Sequence, residues 1–198
     1  IREYNKGINA FEIASLISSG LAKKCIAVKL NGVIKDLNDP IEEDASIELL
    51  TSDSSELQNL INHSCAHLLA QAIRELYPNS LFGVGPAIEE GFYYDIDLGD
   101  VKLTEEDLAK IEKKMRSLAE GNFPVEKKVV SKSEALELFK NDKYKLELIN
   151  ELPDSEIITV YAQGKFMDLC RGPHVASTKW LKNCKLLSVS GAYWRGDA

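Results

Sequence analysis

A long amphipathic helix is the feature that most constrains the fold of this chain. Between residues 55 and 77, apolar side chains recur three and four positions apart, which places them on one face of an α-helix. Ser54 or Ser55 can cap its start, and Pro78 marks its end. The apolar positions are Leu57, Leu60, Ile61, Cys65, Leu68, Leu69, Ala72, Ile73 and Leu76. We therefore expect a central helix that is buried along this stripe.

The first fifty residues look like a compact unit of their own. A helical pattern over 9–18 is followed by a glycine and two lysines, which are typical of a helix end. Two β-branched runs lie on either side of the turn signal Asn31-Gly32. The polar stretch 52–56 separates this unit from the long helix. We predict two domains, 1–53 and 57–198.

The second unit mixes helices with strands. A capping box of Thr104 and Asp107 opens an amphipathic helix, a hairpin turns at Gln163-Gly164, and a last strand is expected over 185–196. The predicted fold class is α+β: a small domain followed by a larger one in which the central helix packs against antiparallel sheet.

Charge and composition limit the functional classes. A net charge of −7 is not typical of a nucleic-acid-binding domain. No apolar run approaches the roughly 18 residues of a membrane span, and no signal peptide is recognisable. Four scattered cysteines without a secretory signal favour reduced thiols and a cytoplasmic location. Because the chain begins with Ile1 and ends abruptly, we expect it to be a fragment of a longer protein.

The three histidines of the chain occur in two matched pairs. His63 and His67 lie one helical turn apart, away from the apolar stripe, and Cys170 and His174 repeat the same spacing. By itself the first pair fits a solvated helix face as well as it fits a site. The second pair favours a shared site. Cysteine with two or three histidines is the donor set of a tetrahedral zinc site, and it is equally a set that can orient a water and move protons.

Two further residues are weaker candidates from the sequence alone. Lys145 is flanked by Tyr144 and Leu146, which can desolvate it in part, although a solvated surface is the commoner fate of a lysine. Tyr93 and Tyr94 alternate across an expected strand, so one of them faces inward.

The motifs of the chain resemble those of the N-terminal region of bacterial threonyl-tRNA synthetases. The matching segments are HSCAH (63–67), FGVGPAIEEGFYYDID (82–97), MDLCRGPH (167–174) and GAYWRGD (191–197). The resemblance covers nearly the whole chain. It implies a β-grasp TGS domain followed by a tRNA editing domain, with the ligase core and its ATP, magnesium and zinc lying outside this chain.

The resemblance also implies a reaction, the hydrolysis of seryl-tRNA(Thr) to serine and free tRNA. His63 and Lys145 would position or activate a water, and Asp168 would hold the serine amino or hydroxyl group. Three residues would line the pocket and exclude the methyl group of threonine: His67, Cys170 and His174. Tyr94 would contact the terminal adenosine or the seryl group, and Arg171 would meet phosphates.

Cofactors and partners follow from the same resemblance. The editing site is expected to work without metal, although the residue spacing suggests zinc and the related alanyl-tRNA editing domains bind it. The expected partners are the serine-bearing 3′ end of tRNA(Thr) and the remainder of the synthetase chain, with no membrane and a homodimeric parent enzyme. Two alternatives stay open: a zinc-dependent alanyl-tRNA-type editing domain and a non-catalytic RNA-binding module.

Overall fold

The computed structural model describes residues 1–192 and residue 194. Part of the GAYWRGD motif, Tyr193 and 195–197, lies outside the described residues. The helices are α1 (Ala10–Ile17), α2 (Ser19–Lys24), α3 (Gln58–Leu76), α4 (Glu105–Glu120), α5 (Lys132–Leu138) and α6 (Lys143–Glu151). The strands are β1 (Cys25–Leu30), β2 (Val33–Lys35), β3 (Ile47–Thr51), β4 (Leu81–Phe82), β5 (Ala87–Ile88), β6 (Gly91–Phe92), β7 (Ile96–Asp97), β8 (Val125–Val130), β9 (Ile158–Gln163) and β10 (Phe166–Leu169).

The first unit is an antiparallel sheet, in the order β2-β1-β3, covered by α1 and α2. Asn31 and Gly32 form the predicted turn, with φ angles of 48° and 84°, the left-handed conformation that a type I′ hairpin turn requires. One prediction is wrong. Gly20 does not end α1, because Ser18 ends that helix and its hydroxyl accepts a hydrogen bond from the Leu21 N–H, which starts α2.

Helix α3 lies within the predicted range 55–77 but begins later, at Gln58. A 3₁₀ turn over Ser55–Leu57 precedes it, and neither predicted serine caps it through a side chain. The helix packs against α4, the β5–β6 hairpin and β10. Since neighbours surround it, the face opposite the apolar stripe is buried as well, including His67 and Ala70. From the sequence alone, this side of the helix could equally have been exposed to solvent or part of a functional site. The packing shows that it is not exposed to solvent.

The second unit contains a three-stranded antiparallel sheet in the order β10-β9-β8. Its hairpin turns after Gln163, as predicted. The predicted capping box of Thr104 and Asp107 is formed at the start of α4. The last predicted strand is wrong for the described residues, since 185–192 form no strand. With these elements, the α+β fold class is confirmed.

Both units contribute to one apolar core. Ile26 and Leu50 from the first sheet lie in the same buried cluster as Leu57, Leu60 and Leu68. Among the described residues, no helix is both long enough and apolar enough to span a membrane. The polar stretch 52–56 therefore connects two units that share buried surface, and the predicted boundaries at 53 and 57 stay a prediction.

Candidate active site

The two histidine pairs meet between α3 and the loop that follows β10. His63 and His67 lie one turn apart on the same side of α3, as i, i+4 residues must, with ring centroids 5.4 Å apart. The loop after Leu169 brings His174 onto both of them, with ring centroids 4.4 Å from His63 and 4.2 Å from His67. The three imidazoles therefore form a single cluster.

Cys170 lies at the centre of the hydrogen bonds in this cluster. Its Sγ is 3.1 Å from His63 Nε2 and 3.3 Å from His174 Nε2. The Gly172 backbone N–H also donates to Sγ over 3.2 Å. Burial raises the pKa of the Cys170 thiol to about 12, so at neutral pH it is a protonated thiol rather than a thiolate nucleophile.

Burial also keeps the imidazoles neutral. It lowers the pKa of His63, and it lowers the pKa of His67 and His174 well below the usual value. The nearby positive charge of Lys145 lowers the pKa of His67 further. Each ring therefore keeps one lone pair at neutral pH, which is what a hydrogen-bond acceptor or a general base needs.

Ser64 determines which nitrogen of His174 carries the proton. Its Oγ accepts a hydrogen bond from the Val175 backbone N–H and lies 3.1 Å from His174 Nδ1. Of the two groups hydrogen-bonded to Ser64 Oγ among the described residues, only His174 Nδ1 can accept the hydroxyl proton, so the hydroxyl donates to Nδ1. The hydrogen-bond network thus assigns the proton of His174 to Nε2, facing Cys170. The Cys170 S–H then points to His63 Nε2, which gives the three residues one direction of proton donation.

A buried ion pair closes one side of the cluster. Lys145 Nζ lies 2.7 Å from Asp168 Oδ1, and the two side chains are 4% and 2% exposed. Nζ also donates to the Gly83 carbonyl oxygen and to the Tyr94 hydroxyl, over 2.9 and 3.1 Å. The Tyr94 hydroxyl donates in turn to Asp168 Oδ2, which lies 3.7 Å from His67 Nε2. The ion pair is therefore connected to the imidazoles through Asp168.

Two glycines allow the close packing around these groups. A Cβ on Gly85 would lie 2.4 Å from the ring of Tyr94, and a Cβ on Gly172 would lie 1.9 Å from the Tyr161 hydroxyl. Gly172 also has a φ of 71°, which other residues rarely adopt. Any larger side chain at either position would displace an aromatic residue beside the cluster.

Seven of the eight residues predicted from the sequence come together here. Arg171 does not: its side chain is 77% exposed and pairs with Glu156 over 2.8 Å. The seven are His63, His67, Tyr94, Lys145, Asp168, Cys170 and His174. Lys145 is much more deeply buried than its sequence context suggested. Tyr94 is the inward-facing member of the Tyr93–Tyr94 pair, of which one was expected to face inward.

The sequence did not single out two polar residues whose side chains contact the imidazole rings themselves. Ser64 lies between the two histidines of α3, so its position inside HSCAH was the available signal. Tyr161 packs its ring 4.5 Å from that of His174. Nothing in the sequence around Tyr161 distinguishes it from a core tyrosine.

The cluster also fits a metal ion in its donor types. His63, His67, Cys170 and His174 each offer one donor atom, and these atoms lie within 4.8 Å of one another. Three imidazole nitrogens and one sulfur are ligands that tetrahedral zinc accepts. The same arrangement can therefore order a water by hydrogen bonding or hold a zinc ion.

Two protein families match this chain. The TGS domain family matches residues 1–51. The family described as threonyl and alanyl tRNA synthetase second additional domain matches residues 158–198, which include Asp168, Cys170 and His174. Arg171 also lies in this segment, and the other predicted site residues lie between the two matched segments.

Similar proteins match along the whole chain. Threonine–tRNA ligases of Enterococcus faecalis (strain ATCC 700802 / V583) and Acholeplasma laidlawii (strain PG-8A) are each 52% identical over 198 residues, which is 100% of this chain and 31% of each relative. That of Staphylococcus carnosus (strain TM300) is 53% identical over 196 residues, 99% of this chain and 30% of the relative. The chain thus spans about a third of the length of these curated relatives. It matches the TGS domain family at its start and the threonyl and alanyl tRNA synthetase second additional domain family at its end, and it is similar throughout to the N-terminal region of bacterial threonine–tRNA ligases.

Proposed function

We propose that this chain is an aminoacyl-tRNA deacylase that hydrolyses the ester between serine and the terminal adenosine of tRNA(Thr). The observation that carries the proposal is the buried cluster of three neutral imidazoles around a protonated Cys170. The names of the relatives point to threonine and tRNA as the chemistry concerned. Ligation of threonine belongs to those relatives, of which this chain covers about 31%.

Discrimination between serine and threonine gives a physical reason for such a hydrolase. Serine lacks one methyl group relative to threonine, and a binding pocket that distinguishes one methyl group gains only about 10–200-fold. A second site that admits the smaller amino acid and hydrolyses its ester removes this limit. We propose that His67, Cys170 and His174 line that pocket, where a threonine methyl group would meet packed rings and sulfur.

His63 is the residue best placed to act on water. It is the least buried of the three histidines, and its lowered pKa leaves it neutral. Its Nε2 accepts only the weak Cys170 S–H donor, which a water would have to replace. In the proposed reaction, the water oxygen attacks the ester carbonyl while His63 takes one water proton. When the ester bond breaks, that proton passes to the departing ribose oxygen, and serine leaves as a free acid.

Lys145 acts in this proposal as a fixed positive charge. An ammonium group has three protons to donate, and here all three have acceptors: Asp168, the Gly83 carbonyl oxygen and the Tyr94 hydroxyl. Its charge faces the cluster, where negative charge develops on the carbonyl oxygen during attack. To bind a water directly, Lys145 would have to release one of these partners.

Asp168 is engaged in a similar way. Oδ1 accepts from Lys145 and from the Leu169 backbone N–H, and Oδ2 accepts from Tyr94. These contacts support a role in holding Lys145 and Tyr94. Direct binding of serine by Asp168, of adenosine or the seryl group by Tyr94 and of phosphates by Arg171 stay predictions.

A zinc-dependent alanyl-tRNA-type deacylase is the second candidate, because the four donor atoms fit zinc. A bound zinc ion would activate a water for attack on the ester. In that case three of the four residues His63, His67, Cys170 and His174 would hold the ion and leave the fourth position for the water. The protein residues around them, Ser64 and the Lys145–Asp168 pair, would still fix the orientation of His174 and supply the positive charge.

The test is the release of amino acid from three purified esters: seryl-tRNA(Thr), threonyl-tRNA(Thr) and alanyl-tRNA(Ala). We expect rapid hydrolysis of the seryl ester alone. His63→Ala should lower kcat about 10²–10⁴-fold, whereas Arg171→Ala, an exposed neighbour of the cluster, should leave kcat unchanged and raise KM. Preference for the alanyl ester would favour the second candidate. Tight tRNA binding without any hydrolysis by folded protein would refute both and leave an RNA-binding module.

A further inference from the structure

One carboxylate of the first unit reaches the site of the second. Asp36 follows β2, and its Oδ1 accepts a hydrogen bond from the His174 backbone N–H over 2.8 Å. Its Oδ2 accepts from the Tyr161 hydroxyl over 2.6 Å. Both oxygens of Asp36 are therefore bound to residues that contact the imidazole cluster, across 138 and 125 residues of sequence.

These two contacts clamp the loop that carries Cys170 and His174. Tyr161 packs its ring against that of His174, and its hydroxyl occupies the space beside Gly172 that a Cβ would need. Asp36 fixes that hydroxyl and also holds the backbone at His174. The orientation of His174, and through Gly172 that of Cys170, thus depends on a group outside the second unit.

Attachment of the two units does not require Asp36. They share the buried cluster that contains Ile26 and Leu50, and the Ala176 backbone N–H donates to the Ile26 carbonyl oxygen over 3.3 Å. Lys127, on β8, pairs with Asp36 over 3.2 Å and with Asp39 as well. Asp39 has the same kind of salt bridge but no hydrogen bond to His174 or Tyr161 among the described residues. It is therefore a matched control for the interface.

We propose that Asp36 is a positioning residue. Through it the first unit, which matches the TGS family and is called the TGS unit below, holds the Cys170–His174 loop in the geometry that hydrolysis needs. This inference rests on the proposed deacylase function. It gives the TGS unit a role in the chemistry of the neighbouring site. The role is exerted through one carboxylate and without contact with the substrate.

The test compares Asp36→Ala, Asp36→Asn and Asp39→Ala in the full chain with seryl-tRNA(Thr). A misplaced catalytic loop typically lowers the rate about 10–100-fold, so we expect a fall of that size in kcat for Asp36→Ala, with KM within about twofold of the wild type. Asp36→Asn keeps one acceptor oxygen and should recover most of the rate. Asp39→Ala should behave like the wild type. Equal losses in Asp36→Ala and Asp39→Ala, or no loss in either, would overturn the proposal.

A second measurement separates this inference from the proposed function. Alkylation of Cys170 by iodoacetamide, followed by peptide mass spectrometry, reports the loop without any tRNA. Cys184 is also half-buried and serves as the internal reference. In Asp36→Ala we expect Cys170 to react several-fold faster while Cys184 is unchanged. If the wild type does not hydrolyse the ester but Cys170 still responds in this way, the proposed function fails and the positioning role stands. An unchanged rate at Cys170 overturns the positioning role.

Discussion

Removal of Lys145 should destabilise the protein far more than removal of an ordinary lysine. At the 2.7 Å separation from Asp168, unit charges attract by about 6 kcal/mol for an effective dielectric constant near 20. Desolvation of both groups offsets much of this attraction. In Lys145→Met the Asp168 carboxylate stays buried without its cation, and stranding a buried charge typically costs about 3–5 kcal/mol.

Urea unfolding of a double-mutant cycle measures this coupling. Lys145→Met, Asp168→Asn and the double variant are compared at pH 7.5, with Lys143→Met as the control. Lys143 is the exposed neighbour that pairs with Asp97 at the surface, and its loss should cost under about 1 kcal/mol. We expect the double variant to be more stable than Lys145→Met alone, because no charge is stranded in it.

Two results would refute this reasoning. One is a cost for Lys145→Met no larger than that for Lys143→Met. The other is a double variant whose cost equals the sum of the two single costs, since this would mean that Lys145 and Asp168 are not coupled.

Three more predictions concern the site and its surroundings. Ser64→Ala removes the acceptor of a buried N–H and should lower the free energy of unfolding by about 1–3 kcal/mol. It should also shift the His174 proton from Nε2 toward Nδ1, which ¹⁵N NMR of the ring would detect. An unchanged tautomer would contradict the assigned hydrogen-bond network. The hydrogen bond from the Gly99 backbone N–H holds the pKa of Asp97 below its usual range. The Asp97 carboxylate therefore stabilises the fold completely above about pH 4, the usual aspartate pKa, and this stabilisation is lost as the pH falls through the pKa of the folded state. The stability difference between the wild type and Asp97→Asn should therefore be larger at pH 6 than at pH 3, and a constant difference would refute this. Finally, we expect chelator-treated protein without zinc by elemental analysis to keep its deacylase activity, whereas stoichiometric zinc whose removal abolishes activity would favour the second candidate.

Local patterns were sufficient to predict most helices. The apolar period gave the extent of α3, and the pairing of Thr104 with Asp107 gave the start of α4. These signals depend on residues three or four positions apart, so they can be read without knowledge of the fold. One of the errors is also local: Ser18 begins a new helix where the glycine after it suggested an end.

The site was predictable only in part. The matched spacing of the histidines and Cys170 indicated one cluster. For His63 and His67 the physical reason is that i, i+4 residues share a helix face, whereas Cys170 and His174 lie in a loop whose position depends on the fold. Its completion by Asp36 and Tyr161 depends on contacts between distant segments, which no local pattern encodes. The same holds for Lys145, whose burial follows from the packing of α6 near β4 and not from its neighbours in sequence.

The apolar core shared by the two units has a consequence for how this molecule tolerates change. Leu57 is 1% exposed and packs in one cluster with Ile26 and Leu50 from the first sheet. A substitution that loosens either unit removes support from α3, the helix that carries His63 and His67. The stability of the first sheet and the positions of His63 and His67 are therefore coupled through this shared core, so a cavity made in the first sheet should also disturb the imidazole cluster of the second unit.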